Sequence, residues 1–431
     1  MRLKLFSIII ISLFLFFSGS SLFPEYDRKT VDENLNATES PDHIMLTWSG
    51  DPTTTQTITW RGAFSIMESF VKYKEDEDSE KDYILKKADL ERFTTIKGDK
   101  KGSMNIFSVM LSGLKPGTKY AYHVLCGKNS SANFTFTTAP KNADVFSFLI
   151  FGDSQSGSVN NPDYSPWHDT VTTAYKKHKD AKFIVNMGDM VEIGQKYIHW
   201  NNWFDAAREV ISLVPEMAVL GNHENYSLPK WRTMKPVYFN SQFKLIQNGP
   251  EGLKGRVYSF DYGNAHITVL DSQQKEEAHE YGDILKAQRD WLDKDLGGTK
   301  QIWKIVFFHK PPYSNYFFRA NNEIKKAFCP VIDKYHADIV FNGHDHVIAR
   351  TYPVINDEVS SDPSKGTVYY TTGRSGNKYH NYQTPNSRNA FFYNPQDQPC
   401  YLYIQIDKLS LGIKTFKLDG SIIDSYEIEK K

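Results

Sequence analysis

Between about Pro41 and Pro140, apolar and polar residues alternate over short runs, as in half-buried strands whose successive side chains point to opposite faces. His43–Trp48, Gln56–Trp60, Glu68–Tyr73, Asn105–Met110, Tyr120–Leu125 and Asn133–Thr137 read as such strands, with Asp51-Pro52 and Lys115-Pro116-Gly117 as turns. About a hundred residues of this pattern predict an aligned β-sandwich. No group of chemically reactive residues clusters in it, so its expected role is that of a scaffold or accessory module.

The pattern changes at Val145. Continuous apolar runs now alternate with stretches of helical periodicity, Trp167–His178, Trp200–Ser212, Ile284–Leu296 and Asn322–Tyr335. Such alternation predicts an α/β domain with helices packed on its sheets, here over 145–425. Gln288, Trp291 and Leu292 share a helical face suited to packing. The polar segments Asn356–Lys365 and Asn377–Gln398 read as loops, either mobile or laid over a site.

Composition narrows the function classes. The 51 basic and 51 acidic residues of the 431-residue chain cancel, so no basic field points to nucleic acid. Hydrophobic residues at 40% leave enough material for two packed domains. One stretch is strongly apolar: Leu5–Phe17, preceded by Arg2 and Lys4 and followed by Ser18-Gly19-Ser20. It is too short to cross a bilayer as a helix. Its three parts match a secretory signal over residues 1–20, with an uncleaved anchor as the rival reading. The expectation is a secreted or extracytoplasmic protein with no stable membrane span after cleavage. The cysteines Cys126, Cys329 and Cys400 are too few for a disulfide framework, although export permits one bridge and Cys329–Cys400 is one open pairing. Three isolated cysteines also exclude a thiolate zinc site, so a metal here is held by oxygen and imidazole.

Five apolar runs in the second region each end in groups able to bind a cation. Phe146–Gly152 runs into Asp153, Phe183–Gly188 into Asp189, and Met217–Gly221 into Asn222-His223-Glu224. Trp303–Phe308 runs into His309, and Ala337–Gly343 into His344-Asp345-His346. A lone Asp after Gly usually caps or turns a chain, and a lone His is usually satisfied by hydrogen bonds. Five together point to one place, because ligands of open α/β sheets lie beyond the carboxyl ends of the strands. Carboxylate, carboxamide and imidazole suit Fe, Zn or Mn better than calcium. Their number exceeds the needs of one tetrahedral ion, so a two-metal site with one bridging carboxylate follows. His344 and His346 would face opposite ways in a strand; on the turn after Gly343 each can reach a different ion of a pair about 3.5–4 Å apart.

These blocks, Gly152-Asp153, Gly188-Asp189, Gly221-Asn222-His223-Glu224, His309 and Gly343-His344-Asp345-His346, resemble in order those of the calcineurin-like metallophosphoesterases. The preceding β-rich region, the run Arg350-Thr351-Tyr352-Pro353 and the run Thr371-Thr372-Gly373-Arg374-Ser375-Gly376-Asn377 are similar to the purple acid phosphatase branch. The resemblance implies an α+β multidomain chain: a fibronectin III-like sandwich over 41–140, then a four-layer α/β/β/α metallophosphoesterase domain. It implies one ion held by Asp153, Asp189 and His346 and a second by Asp189, Asn222, His309 and His344, with Asp189 bridging. Two positions depart from the branch. Gln155 stands where it has Gly, and Glu192 where it has the tyrosine that colours it. Either residue is a candidate replacement ligand, water being the alternative, and the protein is expected not to be purple.

The expected reaction is direct hydrolysis of a phosphate ester by attack of a metal-bound hydroxide, with inversion at phosphorus and no phospho-enzyme. No Ser or Cys sits in a nucleophile elbow. His223 is the candidate for protonating the leaving oxygen or binding the phosphate, with Glu224 orienting or tuning it. Arg374 is a candidate phosphate contact. His168, His380 and Tyr313 are either pocket residues or ordinary packing. The leading reading is an acid phosphatase-like enzyme acting on a small phosphorylated substrate. The alternatives are a phosphodiesterase or nucleotide pyrophosphatase on the same metals, and a non-catalytic binding or adhesion protein with a decayed site.

Overall fold

The computed structural model describes residues 37–77, 82–94, 102–228 and 231–431. The signal segment expected over residues 1–20 lies outside them. Among the described residues, no helix is long and apolar enough to cross a membrane.

The first region is a sandwich. One sheet runs Asp42–Thr47, Thr55–Ala63, Ser103–Ser112 and Asp89–Thr94 in spatial order. The other runs Ile84–Lys87, Ser69–Glu75, Lys119–Cys126 and Asn129–Ser130, and Phe134–Thr137 also pairs with Lys119–Cys126. Their facing side chains, including Ile58, Trp60, Val71, Phe107, Tyr122 and Val124, form one buried cluster. Besides the two-residue strand Asn129–Ser130, two strands escape the sequence pattern. Ile84–Lys87 exposes all four residues and Asp89–Thr94 is mostly exposed, so both are edge strands fixed by backbone pairing and carry no alternation to detect.

The second region packs two sheets face to face. The first has the order Glu216–Ala218, Ala181–Asn186, Val145–Phe151, Cys400–Asp407, Ser410–Lys417, Ile422–Glu429. The second runs Tyr258–Tyr262, Ala265–Val269, Trp303–Phe307, Ile339–Asn342, Val368–Thr372, Ile348–Thr351, Asn389–Tyr393. Alternation within each strand builds the layers. Ile305, Phe307, Ile339 and Phe341 join Phe148, Ile150, Phe183 and Val185 in the core between the sheets. Their neighbours Val306, Phe308 and Val340 face outward to helices Ile284–Gly298 and Asn322–Lys334. Trp167, Val171 and Trp203 cover the other side from helices Ser165–Lys177 and Tyr197–Ile211. The result is the four-layer α/β/β/α order.

The four helices fall within three residues of their expected bounds. Two short ones, Val237–Gln242 and Gln274–Tyr281, were not expected. Gln274–Tyr281 has almost no apolar face, and its buried residues are Glu276 and Glu277. These sit in buried ion pairs with Lys310 and Arg256. The possible Cys329–Cys400 bridge is not made: all three cysteines are free and buried, with Cys329 in the outer helical cluster and Cys400 in the core between the sheets.

The sandwich and the α/β region share a core. Trp48 packs against Phe183, Phe260 and Tyr262 at ring distances of 5.5, 5.7 and 5.7 Å. His43 stacks on Phe204 at 4.6 Å, and Tyr122 Oη donates to Ser212 O at 2.7 Å.

Candidate metal centre

The strands Val145–Phe151, Ala181–Asn186 and Glu216–Ala218 are parallel neighbours, as are Trp303–Phe307 and Ile339–Asn342. The chain leaves each at its carboxyl end, and there Asp153, Asp189, Asn222, His309, His344 and His346 converge. The turns that make this possible are tight. At Gly188, φ is +86°, and at Gly221 an added Cβ would lie 2.1 Å from the Asp189 nitrogen. Four of the converging residues themselves have left-handed backbones: Asp153 (φ 38°), Asp189 (φ 50°), His344 (φ 70°) and His346 (φ 56°). Such conformations cost roughly 1–3 kcal/mol each and gather where the surrounding fold enforces a function.

Two groups result. Asp189, His309 and His344 each bring a ligand atom within 4.8 Å of the others, and so do Asp153, Asp189 and His346. Asp189 belongs to both. His309 Nε2 lies 3.2 Å from Asp189 Oδ2, 3.2 Å from Asn222 Oδ1 and 3.1 Å from His344 Nδ1. His346 Nε2 lies 3.3 Å from Asp153 Oδ1. Second partners fix the rings. His309 Nδ1 donates to Met187 O at 2.7 Å and His346 Nδ1 to Lys378 O at 2.8 Å, so each Nε2 presents its lone pair inward. Asn222 Nδ2 donates to Tyr226 Oη at 3.1 Å, which turns the amide oxygen to the centre.

This donor set fits a pair of cations. Lone pairs of two carboxylates, an amide and imidazoles crowd a buried space and repel one another unless positive charge lies among them. The titration of the groups expresses the same demand. Burial disfavours a charged His309, yet the Asp189 carboxylate outweighs it and pushes the imidazole up to about 9. Burial alone would raise Asp189, but His309 and His223 hold it well below the usual carboxylate range. Oxygen and imidazole donors without thiolate suit Fe, Zn or Mn.

His223 stands beside this centre. Its Nδ1 donates to Glu192 O at 2.7 Å, and its Nε2 is 3.9 Å from Asp189 Oδ2. Glu224 does not orient it, contrary to the sequence expectation. The Glu224 carboxylate turns inward and accepts from the backbone N–H of Asp189 (2.9 Å), Met190 (2.8 Å), Val191 (3.3 Å) and Gly221 (2.8 Å), clamping two ligand-bearing turns together. Burial, and then the Asp189 charge, push this carboxyl up to about 8.

Arg374 is also corrected. Its Nε, Nη1 and Nη2 donate to the carbonyls of Pro395, Gly376 and Gln396, and the side chain is buried, so it braces a loop instead of meeting a ligand. His168 Nδ1 donates to Ala206 O at 2.9 Å, and Tyr313 packs edge-on against Tyr369, so both are packing residues. The His380 ring lies against that of His346 at 4.4 Å, tilted by 48°. Asn225, within a glycosylation sequon, is fully buried.

Glu192 stands outside both ligand groups. Its Oε1 pairs instead with Lys378 Nζ at 3.0 Å. With the Gln155 amide turned to satisfy both ends, its nitrogen donates to Asp189 O at 2.8 Å and its oxygen accepts from Lys378 Nζ at 3.0 Å. Sequence reading missed Lys378. It missed Arg319 as well, whose Nη1 donates to His344 O (3.1 Å) and Asp345 Oδ1 (2.6 Å). Neither residue sits in a motif; the only hint was that the polar segment from Asn377 was a loop able to cover a site.

Comparison with known proteins agrees with this architecture. Residues 41–138 match the purple acid phosphatase N-terminal domain, and residues 146–348 match the calcineurin-like phosphoesterases. Purple acid phosphatase 21 of Arabidopsis thaliana is 27% identical over 282 residues, covering 64% of this chain and 59% of the relative. An Fe(3+)-Zn(2+) purple acid phosphatase 12 of Arabidopsis thaliana is 26% identical over 293 residues, covering 63% of this chain and 59% of the relative. The chain thus spans less than two thirds of the length of these relatives. The purple acid phosphatase from yellow lupin (Lupinus luteus) seeds shares the fold, with a TM-score of 0.74 at 18% identity over 90% of this chain and 74% of that one. With the ordered blocks, the sandwich in front and both family matches in agreement, the chain belongs to the calcineurin-like metallophosphoesterase superfamily, on its purple acid phosphatase-like branch.

Proposed function

We propose that this chain is a binuclear-metal phosphoesterase that hydrolyses phosphate monoesters in the manner of an acid phosphatase. The observation that carries the reading is the sharing of Asp189 by two ligand groups, buried except for the half-buried His344. When bound, two cations drawn from Fe, Zn and Mn would supply Lewis acidity and make solvent a nucleophile near neutral pH. An iron–zinc pair, as named for the Arabidopsis relative, is one candidate.

The side chains do the rest. Asp153, Asp189 and His346 form one half of the cradle, and Asp189, Asn222, His309 and His344 the other. Glu224 keeps the turns bearing Asp189 and Asn222 in register. His223, oriented by its bond to the Glu192 carbonyl, faces the phosphoryl group with Nε2, which bonds a phosphoryl oxygen or protonates the leaving oxygen once it has taken up a proton from solvent. Solvent is the acceptor, so no protein nucleophile is needed and the configuration at phosphorus inverts. With Glu192 in the place of the branch tyrosine and paired to Lys378, the metal-loaded protein lacks the visible absorption of a tyrosinate–iron pair.

Metal content measured on the same sample as hydrolysis of p-nitrophenyl phosphate and its bis ester tests the reading, with His309→Ala as control. The expected result is two ions per chain, faster monoester hydrolysis, and in the variant a lowered metal content. Activity in the variant falls by more than the roughly 10–100-fold typical of outer partners of a metal. Faster cleavage of the bis ester would make the enzyme a phosphodiesterase. Less than one ion per chain with no hydrolysis would favour a binding or adhesion role. Placement outside the cytoplasm rests on the signal-like segment at residues 1–20, and N-terminal sequencing of the protein from culture fractions checks it.

A further inference from the structure

Lys378 reaches the centre from the loop that follows the strand Val368–Thr372, and its backbone is anchored there. Its carbonyl accepts from His346 Nδ1 at 2.8 Å, and the nitrogens of Asn377 and Lys378 donate to the Gln155 carbonyl at 3.2 and 3.4 Å. The ammonium has three donors. Two meet Glu192 Oε1 and the Gln155 amide oxygen, both at 3.0 Å, and the third meets His223 Nε2, also at 3.0 Å. An ammonium can only donate, so His223 Nε2 accepts in this contact; it also lies 3.3 Å from the Gln155 amide oxygen. That third contact is the exchangeable one: a phosphate oxygen is a stronger acceptor than a neutral imidazole nitrogen, and charge-assisted bonds to phosphate are the stronger class.

The other cations near the centre are committed elsewhere. Arg319 pairs with Asp345, Lys310 with Glu276, and Arg374 is held by three carbonyls. Of these four, only Lys378 touches His223. Its side chain is 21% exposed, so a ligand entering beside His223 can meet it. Glu192 and Gln155, the two residues that depart from the branch pattern, are the two that hold the ammonium in place.

We infer that Lys378 is a catalytic residue of this centre, its ammonium binding a non-bridging oxygen of the substrate phosphoryl group next to His223. The inference rests on the phosphoesterase reading for the substrate but is tested separately from it. Inorganic phosphate is titrated calorimetrically into the metal-loaded chain, for wild type, Lys378→Met and Lys378→Arg, with the metal content of each recorded. KM and kcat for p-nitrophenyl phosphate are measured alongside. Lys378→Met retains the backbone bond to His346 and the length of the stem, so it keeps its metal. It loses phosphate affinity by about 10–100-fold, the value of a hydrogen bond to a charged group, and raises KM by a similar factor. Lys378→Arg recovers most of the affinity.

Phosphate affinity within about twofold of wild type in Lys378→Met, with metal retained, would overturn the inference, since a hydrogen bond to a charged group is worth far more than that. A loss of affinity that merely follows a loss of metal would overturn it too, leaving Lys378 as a prop for His346. If the wild type binds phosphate through Lys378 yet cleaves no ester, the phosphoesterase reading fails and this assignment stands.

Discussion

Glu224 shows what a single side chain does here without touching substrate. It gathers four backbone N–H groups from two ligand-bearing turns. Above about pH 8, where the Glu224 carboxyl is ionised, a glutamine in its place offers one oxygen and turns an amide N–H against backbone N–H groups. Glu224→Gln is therefore expected to lower metal affinity by about 10–100-fold, measured by chelator competition. It should also lower unfolding free energy by about 1–3 kcal/mol for the donors left unpaired. Unchanged affinity would mean that the turns hold their shape unaided. The ligand types were legible in the chain because each follows an apolar run, usually after a glycine. The direction of Glu224 was not: it follows His223 in sequence, but from the short helical turn His223–Asn225 it reaches backbone N–H groups while His223 bonds the Glu192 carbonyl. Lys378 was illegible for a different reason, since a lysine in a polar loop carries no pattern until the loop is folded over the site.

At the scale of elements, the strands set the positions and also carry a cost. Glu216 opens the short strand Glu216–Ala218 and is fully buried. Burial pushes its carboxyl up to about 8, opposed only by the Asn186 backbone N–H. The sign follows from linkage. The folded state keeps this proton between about pH 4.5 and 8 while the unfolded state gives it up, so stability falls as pH rises through that window, by at most about 1.4 kcal/mol per pH unit. Glu216→Gln should flatten the dependence, raising Tm at pH 8 relative to wild type and leaving it nearly unchanged at pH 4.5. Parallel pH profiles of the two proteins would contradict the assignment. Long strands and helices were predictable from periodicity, whereas Ile84–Lys87 and Gln274–Tyr281 were not. One is held by edge pairing and the other by buried ion pairs, and neither device leaves a hydrophobic period in the sequence.

The described residues form a sandwich fused to a four-layer α/β/β/α structure, with Trp48 at the join. Among the described residues, both ligand groups come from Asp153 onward, and the sandwich supplies none of their members. Trp48 is 1% exposed among three aromatic rings of the second region. Truncation to alanine should cost about 3–5 kcal/mol. Because the core is continuous across the join, calorimetry of the wild type should show one cooperative transition, and Trp48→Ala should lower or split it. Two independent transitions in the wild type would show the regions to be energetically separate. The two-region layout was readable from the switch of period near Val145, but the shared aromatic core was not, since a buried Trp looks the same in sequence whichever region it faces.

Anomalous diffraction from crystals of the metal-loaded chain tests the central claim most directly. The account predicts two peaks about 3.5–4 Å apart on either side of the Asp189 carboxylate. One should lie against Asp153 and His346, the other against Asn222, His309 and His344. No peak at this place, or a single peak that Asp189 does not touch, would contradict it.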